Sequence, residues 1–324
     1  MDTCSMVTDL IYDGAGSVKP LVSFVIPTYK NYKFLYNAID SILNQSNELF
    51  SYEIIVISNN PDADLTEFIE KYKNNSIKFY MNQENYGQTG NINLGTSMAR
   101  GRYVSYLHDD DLLLPNYSAA IAPYVLDASR RYTCILPSYY NYFSNYLFDI
   151  KHCLLGALFS WRFFYRKQLQ ELHIEDNIFA FDNIYRAPSC GALFFKQDLE
   201  DFGYFIDEGQ AAWDYYNFRL LNKEHIIYRL HKYTGVRRCE TGMSAEKKVH
   251  EEFRNDKLKF IDEQKEAYPF LVKYEQICES NGPFLHYLFL RVRIKTYFYM
   301  HNLDSEKSIP YVLFRKLQKE ESRF

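Results

Sequence analysis

The sequence contains no uninterrupted apolar run that approaches the roughly 20 residues of a membrane-spanning helix. Its first residues also lack the pattern of a signal peptide, because Asp2, Asp9 and Asp13 stand where a basic segment and an apolar core would be required. A surplus of basic residues is missing too, since the formal net charge is −4 and nucleic-acid-binding domains are usually basic. We therefore expect a cytoplasmic protein that binds no nucleic acid and is not integral to a membrane.

Cysteine pairs and glycine-rich phosphate loops are absent as well. The six cysteines are scattered, with no Cys-x-x-Cys pair and no histidine at zinc-finger spacing, which favours reduced thiols in an intracellular protein. The sequence has neither a Walker loop nor a Gly-x-Gly-x-x-Gly motif, since Gly14-Ala-Gly16 precedes the first predicted strand. These absences argue against a disulfide-built secreted domain and against the P-loop and dinucleotide-binding folds.

Short apolar runs alternate with amphipathic stretches in the first part of the chain. The runs predict buried strands at 21–26, 53–58, 77–80 and 102–107. Helical spacing predicts helices at 32–45, 64–72 and 91–100, the last one closed by Gly101 as a C′ glycine. Strands that alternate with helices indicate an α/β fold with a mainly parallel central sheet flanked by helices.

The pattern weakens beyond about residue 130. There we predict a loop over the site at 139–146, strands at 187–195 and 224–228, and a helix at 214–221. A charged helix at 250–267, followed by more helix, forms a helical C-terminal extension.

Polar segments follow three of the predicted strands directly, at 28–31, 58–62 and 108–111. Ligands of parallel α/β sheets bind outside the carboxyl ends of the strands. These segments should therefore converge on one edge of the sheet and form a binding site.

The third segment contains three successive carboxylates, Asp109, Asp110 and Asp111. Carboxylates this close raise one another's pKa, and a divalent cation removes the repulsion. Mg²⁺ is typically held by one or two carboxylates together with substrate phosphates. The alternative is a solvated turn or a helix N-cap, and the triplet alone does not decide between them.

A longer stretch around these aspartates resembles the core signature of family 2 glycosyltransferases. It consists of Glu84-Asn-Tyr-Gly87, Asn91-Ile-Asn-Leu-Gly95 and the run from Ala99 to Asp111. In that family an Asn-x-Gly turn, an Asn-rich helix and a Gly-Arg/Glu-Tyr strand lead into the DXD-type metal motif. Val25-Ile-Pro-Thr-Tyr29 and Glu53-Ile-Ile-Val-Ile57 resemble the family's first two strands. The resemblance implies a GT-A fold, with an N-terminal segment (1–20), a catalytic domain (21–245) and the helical extension (246–324).

The resemblance also implies a nucleotide-sugar donor, with a UDP-sugar favoured. Its binding residues would be Pro27, Thr28, Tyr29, Asn59, Asn85, Gln88, Asn91, Asp109 and Arg229. The family often has Asp where this chain has Asn59, and an amide can accept as well as donate, so the base stays open.

A divalent cation, Mn²⁺ or Mg²⁺, is implied with Asp110 as its first carboxylate ligand. Asp111 and His231 are further candidate ligands. Asp111 could instead cap the following segment, and a lone histidine is more often structural.

An inverting transfer needs a general base that takes the proton of the acceptor hydroxyl. The family pattern places this base at Asp214, for which the alternative is a helix N-terminal carboxylate favoured by the macrodipole. Trp213 and Gly191 would lie on the acceptor side. Arg237 and Arg238 join Arg229 as candidate diphosphate partners, because guanidinium groups match phosphate geometry.

The resemblance implies that the acceptor is a growing bacterial surface polysaccharide at the inner face of the cell membrane, either free or linked to a polyprenyl diphosphate. Residues 285–324 are basic and aromatic, which suits a membrane surface, a second subunit or the chain's own catalytic domain. Two other functions stay open, an inactive GT-A-like binding or scaffold module and a nucleotidyltransferase.

Overall fold

The computed structural model describes residues 6–14, 16, 18–30, 32–46, 49–73, 75–142, 169–172, 190–205, 226–238 and 247–266. No helix within these ranges is long and apolar enough to cross a membrane. The predicted helix at 214–221, with Trp213 and Asp214 beside its start, lies outside the described residues. So does the tail beyond residue 266, so the predicted domain boundaries stay predictions.

The described residues form a ten-stranded sheet in the order β1-β4-β3-β2-β5-β9-β7-β10-β6, with β8 also paired to β10. The strands are β1 (Thr8–Asp13), β2 (Val22–Thr28), β3 (Tyr52–Ser58), β4 (Ile77–Asn82), β5 (Tyr103–Tyr106), β6 (Leu112–Leu113), β7 (Cys134–Tyr142), β8 (Leu169–Leu172), β9 (Ala192–Phe195) and β10 (Ile227–Arg238).

Four neighbouring strands, β4, β3, β2 and β5, run parallel and form the centre of the sheet. This block confirms the predicted α/β class. The sheet is mixed on both sides of it, because β1 pairs antiparallel with β4 and β9 lies antiparallel between β5 and β7. Parallel pairing returns only between β7 and β10 within the described residues.

Helices cover both faces of the sheet, as the alternation of core side chains along β2 requires. The helices are α1 (Leu35–Leu43), α2 (Thr66–Tyr72), α3 (Gly87–Met98), α4 (Tyr117–Val125), α5 (Lys196–Asp201) and α6 (Lys247–Gln264). Phe24 and Ile26 pack in one core with residues of α1, α2 and α4, whereas Val25 packs in the other with residues of α3 and α5. The sheet is therefore the middle layer between two apolar cores.

Several predicted boundaries change in the second half of the chain. Tyr139 to Tyr142, predicted as part of a loop, continue β7 and pair with Gly235 to Arg238 of β10. The predicted strand at 187–195 begins at Ala192, and the one at 224–228 extends to Arg238. Strand β1, to which the sequence analysis assigned no element, adds an edge beside β4. Backbone pairing stabilises these stretches without the apolar pattern that sequence reasoning depends on.

Gly101 is not the C′ glycine that the sequence predicts. Helix α3 ends at Met98, and its C-cap residue Ala99 is already extended. The need for glycine is steric, because a Cβ atom at Gly101 would lie 2.6 Å from the backbone nitrogen of Ser23. Gly101 donates its N–H to the Ser23 hydroxyl, which in turn donates to the buried carboxylate of Glu53.

We predict that Gly101→Ala destabilises the protein by about 1–3 kcal/mol, because the added methyl group forces β2 and β5 apart. Urea unfolding would measure the difference. Gly16→Ala is the matched control, since a Cβ atom at Gly16 meets nothing within 4 Å. Equal unfolding midpoints for the two variants would show that the close approach of Gly101 to Ser23 does not affect the stability of the protein.

Candidate active site

The carboxyl ends of β2 and β5 meet through a direct contact between Thr28 and Asp109. The Thr28 hydroxyl donates to Asp109 Oδ2 at 2.5 Å. The parallel register pairs Val25 with Tyr106, so three further residues bring Thr28 level with Asp109. Pro27 is buried within β2, and Tyr29 follows with 41% of its side chain exposed. Two of the predicted polar segments therefore do converge at one edge.

The Asp109 carboxyl is unusually hard to ionise. Burial raises its pKa to about 7, and the charge of Asp110 adds to the rise. Hydrogen bonds from Thr28 and the backbone of Tyr29 oppose it. Without a cation, the folded protein therefore holds this carboxyl at the boundary between its neutral and ionised forms at neutral pH.

Asp111 has a partner that neither sequence alternative anticipated. Its side chain is 3% exposed, and its Oδ1 accepts a hydrogen bond from the backbone N–H of Arg238 at 3.0 Å. Burial raises the pKa of Asp111 well above its usual value, while Arg237 and Arg238 oppose the rise. This carboxyl thus ties the end of β10 to the acidic segment through one oxygen, and its role as a metal ligand stays a prediction.

His108 lies between the strand and the aspartates, close to Asp110 and Arg237. Burial lowers the pKa of His108 below its usual value, Asp110 opposes the shift and Arg237 adds to it. Among the described residues, Arg237 and Arg238 are positive groups near this acidic segment.

Four asparagines tie the ends of β3 and β4 to the start of α3. Asn82 donates to Asn59 Oδ1 at 3.0 Å and to Asn91 Oδ1 at 2.9 Å. Asn59 donates to Asn85 Oδ1 at 2.6 Å and to the carbonyl of Gly87 at 3.0 Å. Asn91 completes the set by donating to the carbonyl of Ile57. We call these four residues the asparagine network.

The network changes the predicted role of Asn59. This side chain is 3% exposed, its two amide hydrogens are donated within the protein, and its oxygen accepts from Asn82 and from the N–H of Tyr86. An Asn side chain has no further donor to offer a base. Asn85 and Gln88, in contrast, are exposed at the same edge. Asn82 was not among the predicted site residues, because the predicted strand ends at Tyr80 whereas β4 continues to Asn82.

The predicted phosphate contact of Arg229 is not supported by its position. Arg229 lies near the amino end of β10, opposite Leu136 of β7, and is 7% exposed. Arg237 and Arg238 stand at the carboxyl end of the strand, beside Asp111. The Arg238 guanidinium lies 4.3 Å above the Phe34 ring, which leaves Arg237 as the better placed of the three for a phosphate.

The acceptor-side candidates are only partly described. Gly191 adopts φ +71° next to the end of β5, where its N–H donates to the carbonyl of Tyr106 at 2.8 Å. Its carbonyl accepts from the Tyr117 hydroxyl, so this turn is fixed at the same edge. His231 belongs to β10 by its backbone, and the position of its side chain stays a prediction, as do Trp213 and Asp214.

Among the described residues, no group of three or more Asp, Glu, His or Cys side chains is arranged to hold a metal ion by itself. Hard cations with few protein ligands are nevertheless held by one or two carboxylates and completed by phosphates and water. The oxygen donors and mutual repulsion of Asp109 and Asp110 fit such a shared ion. They do not fit a cage built from protein ligands alone.

Comparison with known proteins identifies similarity over this part of the chain. The sequence model for Glycosyl transferase family 2 matches residues 23–202. A relative from Campylobacter jejuni, named GalNAc(5)-diNAcBac-PP-undecaprenol beta-1,3-glucosyltransferase, is 35% identical over 117 residues, or 35% of this chain and 36% of that protein. The Staphylococcus aureus poly(ribitol-phosphate) beta-N-acetylglucosaminyltransferase TarP is 35% identical over 95 residues, or 28% of this chain and 29% of that protein. The chain thus spans only about a third or less of the length of the curated relatives it matches.

Two solved structures have the same fold over most of the chain. S. aureus TarS 1–349 in complex with UDP-GlcNAc superposes with a TM-score of 0.53 at 15% identity, covering 74% of this chain and 66% of that one. The mannosyltransferase PcManGT from Pyrobaculum calidifontis, in complex with GDP-Man and Mn²⁺, superposes with a TM-score of 0.54 at 14% identity. The superposition covers 98% of this chain and 89% of that one. At this identity the likeness concerns the fold alone, and it confirms the predicted GT-A fold.

We predict that Asp109→Asn stabilises the metal-free protein at pH 8 by at least about 1 kcal/mol, since one pKa unit corresponds to roughly 1.4 kcal/mol. The Asp109 pKa rises from 3.8 to about 7 on folding, so wild type loses stability as the pH increases through this interval. Asparagine cannot ionise and escapes that loss. Thermal unfolding in EDTA at pH 5 and pH 8 measures the effect. The difference in stability between Asp109→Asn and wild type should be smaller at pH 5 than at pH 8.

The exposed Asp62→Asn variant is the control for the loss of one negative charge at the same edge. Asp109→Asn and wild type of equal stability at pH 8 would contradict the raised pKa.

Proposed function

Because the chain belongs to glycosyltransferase family 2, we propose that it moves one sugar from a nucleotide-diphosphate donor, with a UDP-sugar favoured, to a hydroxyl of a growing, lipid-linked surface polysaccharide. The observation that carries this proposal is the meeting of Thr28, Asp109 and the asparagine network at one edge of the parallel block. The name of the Campylobacter jejuni relative, which includes a saccharide linked through diphosphate to undecaprenol, supports the acceptor class. The UDP-GlcNAc held by TarS supports the donor class.

In this proposal the donor lies across the carboxyl ends of β5, β2, β3 and β4. Asp109 and Thr28 hold the ribose, Tyr29 and Gln88 border the base, and Arg237 faces the diphosphate. Gln88, at the start of α3 after β4, is separated from Asp109 along the strand order, which suits an extended nucleotide. Asn59 and Asn91 support the binding loop from beneath through the asparagine network.

We assign the cation first to Asp110, because one oxygen of Asp111 already accepts from the backbone N–H of Arg238. Asp111 stays a further candidate ligand through its other oxygen. Mn²⁺ or Mg²⁺ held there with the donor phosphates would offset the charge that develops on the departing nucleoside diphosphate. His231 stays a second candidate ligand. The Mn²⁺ bound by the mannosyltransferase of the same fold supports the assignment.

For the transfer itself we propose inversion at the anomeric carbon. Asp214 would remove the proton from the acceptor hydroxyl as its oxygen forms the new glycosidic bond and the bond to the diphosphate breaks. Trp213 would stack on the acceptor sugar, and Gly191 would leave space beside it. We also propose that residues 285–324 contact a membrane surface or a second subunit.

We predict that purified protein releases a nucleoside diphosphate from one nucleotide sugar in the presence of Mn²⁺ or Mg²⁺, and not in EDTA. Asp110→Asn should reduce this release roughly hundredfold or more, because several kcal/mol of charge stabilisation is lost. Glu70→Gln, which removes one exposed negative charge in the last turn of α2, should release the diphosphate at the wild-type rate. The measurement uses a panel of nucleotide sugars with a polyprenyl-diphosphate-linked saccharide as acceptor.

If neither release nor metal-dependent binding of any nucleotide occurs, the chain is an inactive module and the proposed function is wrong. Binding without release would indicate that the saccharide supplied is not the acceptor, and other saccharide acceptors would then be tried with the same donor.

We predict that Asp214→Asn abolishes transfer yet retains nucleotide affinity, because a general base acts on the acceptor and not on the donor. Single-turnover transfer and calorimetric titration with UDP and Mn²⁺ separate the two effects. An Asp214→Asn variant that transfers sugar at more than about a tenth of the wild-type rate would exclude this residue as the base.

A further inference from the structure

A cavity of about 300 Å³ opens at the amino ends of the parallel strands, on the edge of the sheet opposite the candidate active site. It lies where β3 begins, and the length of this strand separates it from the polar groups after Ser58 by roughly 20 Å. Its volume is at the lower end of the range for small-molecule pockets. Its walls combine apolar, aromatic and charged groups, among them Val18, Phe50, Ser51, Tyr52, Glu53 and Arg100.

The buried carboxylate in the wall of this cavity has both oxygens occupied by the protein. Glu53 is 1% exposed, and its Oε1 accepts from the Ser23 hydroxyl and from the backbone N–H of Arg100, each at 2.7 Å. Its Oε2 accepts from Arg100 Nε at 2.9 Å. Glu53 is therefore satisfied within the fold and is not the group that would hold a ligand.

Arg100 is the opposite case, because most of its donors are not used by the protein. Its Nε hydrogen is donated to Glu53. Within the described part of the chain, the two terminal nitrogens of its guanidinium group donate no hydrogen bond to the protein. The side chain is 39% exposed and lines the cavity. The cavity thus offers a planar fork of donors that matches an acceptor with two oxygens.

The charges around the cavity favour an anionic acceptor. Lys78 is buried and does not line the cavity, and its Nζ lies 3.8 Å from Glu53 Oε2 and 3.8 Å from Asp13 Oδ2. Asp13 is 46% exposed, so water weakens its contribution. The buried carboxylate of Glu53 therefore faces two cations, Lys78 and Arg100, and an anion beside Arg100 would complete the balance.

The remaining walls suit a ring that carries this anionic group. Phe50 and Tyr52, both half-buried, supply aromatic surface in the same cavity as Arg100. We propose that the cavity is a second ligand site, which binds a monosaccharide-sized ring bearing a carboxylate or a phosphate, with Arg100 holding the anionic group. The ligand class is an acidic or phosphorylated sugar, from a saccharide chain or from a free sugar phosphate. This site is additional to the transfer reaction proposed at the opposite edge.

Calorimetric titration of the full chain in EDTA tests the proposal with glucuronate, glucose 6-phosphate and neutral glucose as probes. Glucuronate or glucose 6-phosphate should bind roughly fivefold or more tightly than glucose, because only these two carry a charged acceptor for the guanidinium group. Tighter binding of glucuronate indicates an acidic saccharide as the source, and tighter binding of glucose 6-phosphate indicates a sugar phosphate.

Arg100→Lys keeps the positive charge and a donor for Glu53 but removes the planar fork. The affinity for the anionic sugar should therefore fall roughly fivefold or more. Arg102→Lys is the matched control, because Arg102 lies against the rings of Tyr103 and Phe195 and does not line the cavity. This control should bind as wild type does, and thermal unfolding checks that both variants are folded.

Val18 tests the sign of the ligand's charge without disturbing the buried cluster, since it lines the cavity and is 70% exposed. Val18→Lys should raise the affinity for the anionic sugar roughly twofold or more, and Val18→Asp should lower it by a similar factor. Opposite effects at one exposed position report charge, whereas a structural disturbance would move both variants in the same direction. This pair decides the matter even if Arg100→Lys does not fold.

UDP with Mn²⁺ should leave the affinity for the anionic sugar unchanged, because the two edges of the sheet lie roughly 20 Å apart. Competition between the two would place the sugar at the donor edge and overturn the inference. It is also overturned if neither anionic sugar binds better than glucose, or if Val18→Lys and Val18→Asp change the affinity equally. The proposed function is tested separately, by nucleotide release, and stands or falls without this site.

Discussion

The parallel pairing of β2 with β3 on one side and β5 on the other is the constraint on which the candidate site depends. Its register places Thr28 opposite Ser58 and brings Asp109 level with Thr28. Pairing of Ser58 with Met81 extends the same level to Asn59 and Asn82. Each polar contact at this edge is therefore a consequence of strand register, and a slip of one residue would direct these side chains to the wrong faces.

The site concentrates polar groups that are costly to bury, and the protein stabilises them in two different ways. The asparagine network pairs both amide hydrogens of Asn59 and of Asn82 within the protein, and it ties the Asn85 turn to the ends of β3 and β4. The acidic segment does the opposite, because burial and mutual repulsion raise the pKa of Asp109 and Asp111. A hydrogen-bonded turn beside carboxyl groups with raised pKa values is an arrangement that suits a binding or catalytic site.

The end of β10 connects the second half of the chain to this edge. The backbone of Arg238 donates to Asp111, and Arg237 lowers the pKa of that carboxyl. Strand β10 also pairs with β6, which directly follows the acidic segment. The aspartates are thereby held from two directions, by Thr28 in the parallel block and by the last strand of the sheet.

The sequence by itself determined the α/β class, the central strands, the convergence of polar segments and the family, because buried parallel strands and the residues that follow them leave a strong local pattern. It did not predict β1, the full length of β7 or the steric reason for Gly101, since these depend on which strand lies alongside. Only the tertiary structure decided that Asn59 is internally satisfied and that Asp111 anchors Arg238. Hydrogen-bond partners between distant residues are set by register across strands, and no spacing along one chain encodes them.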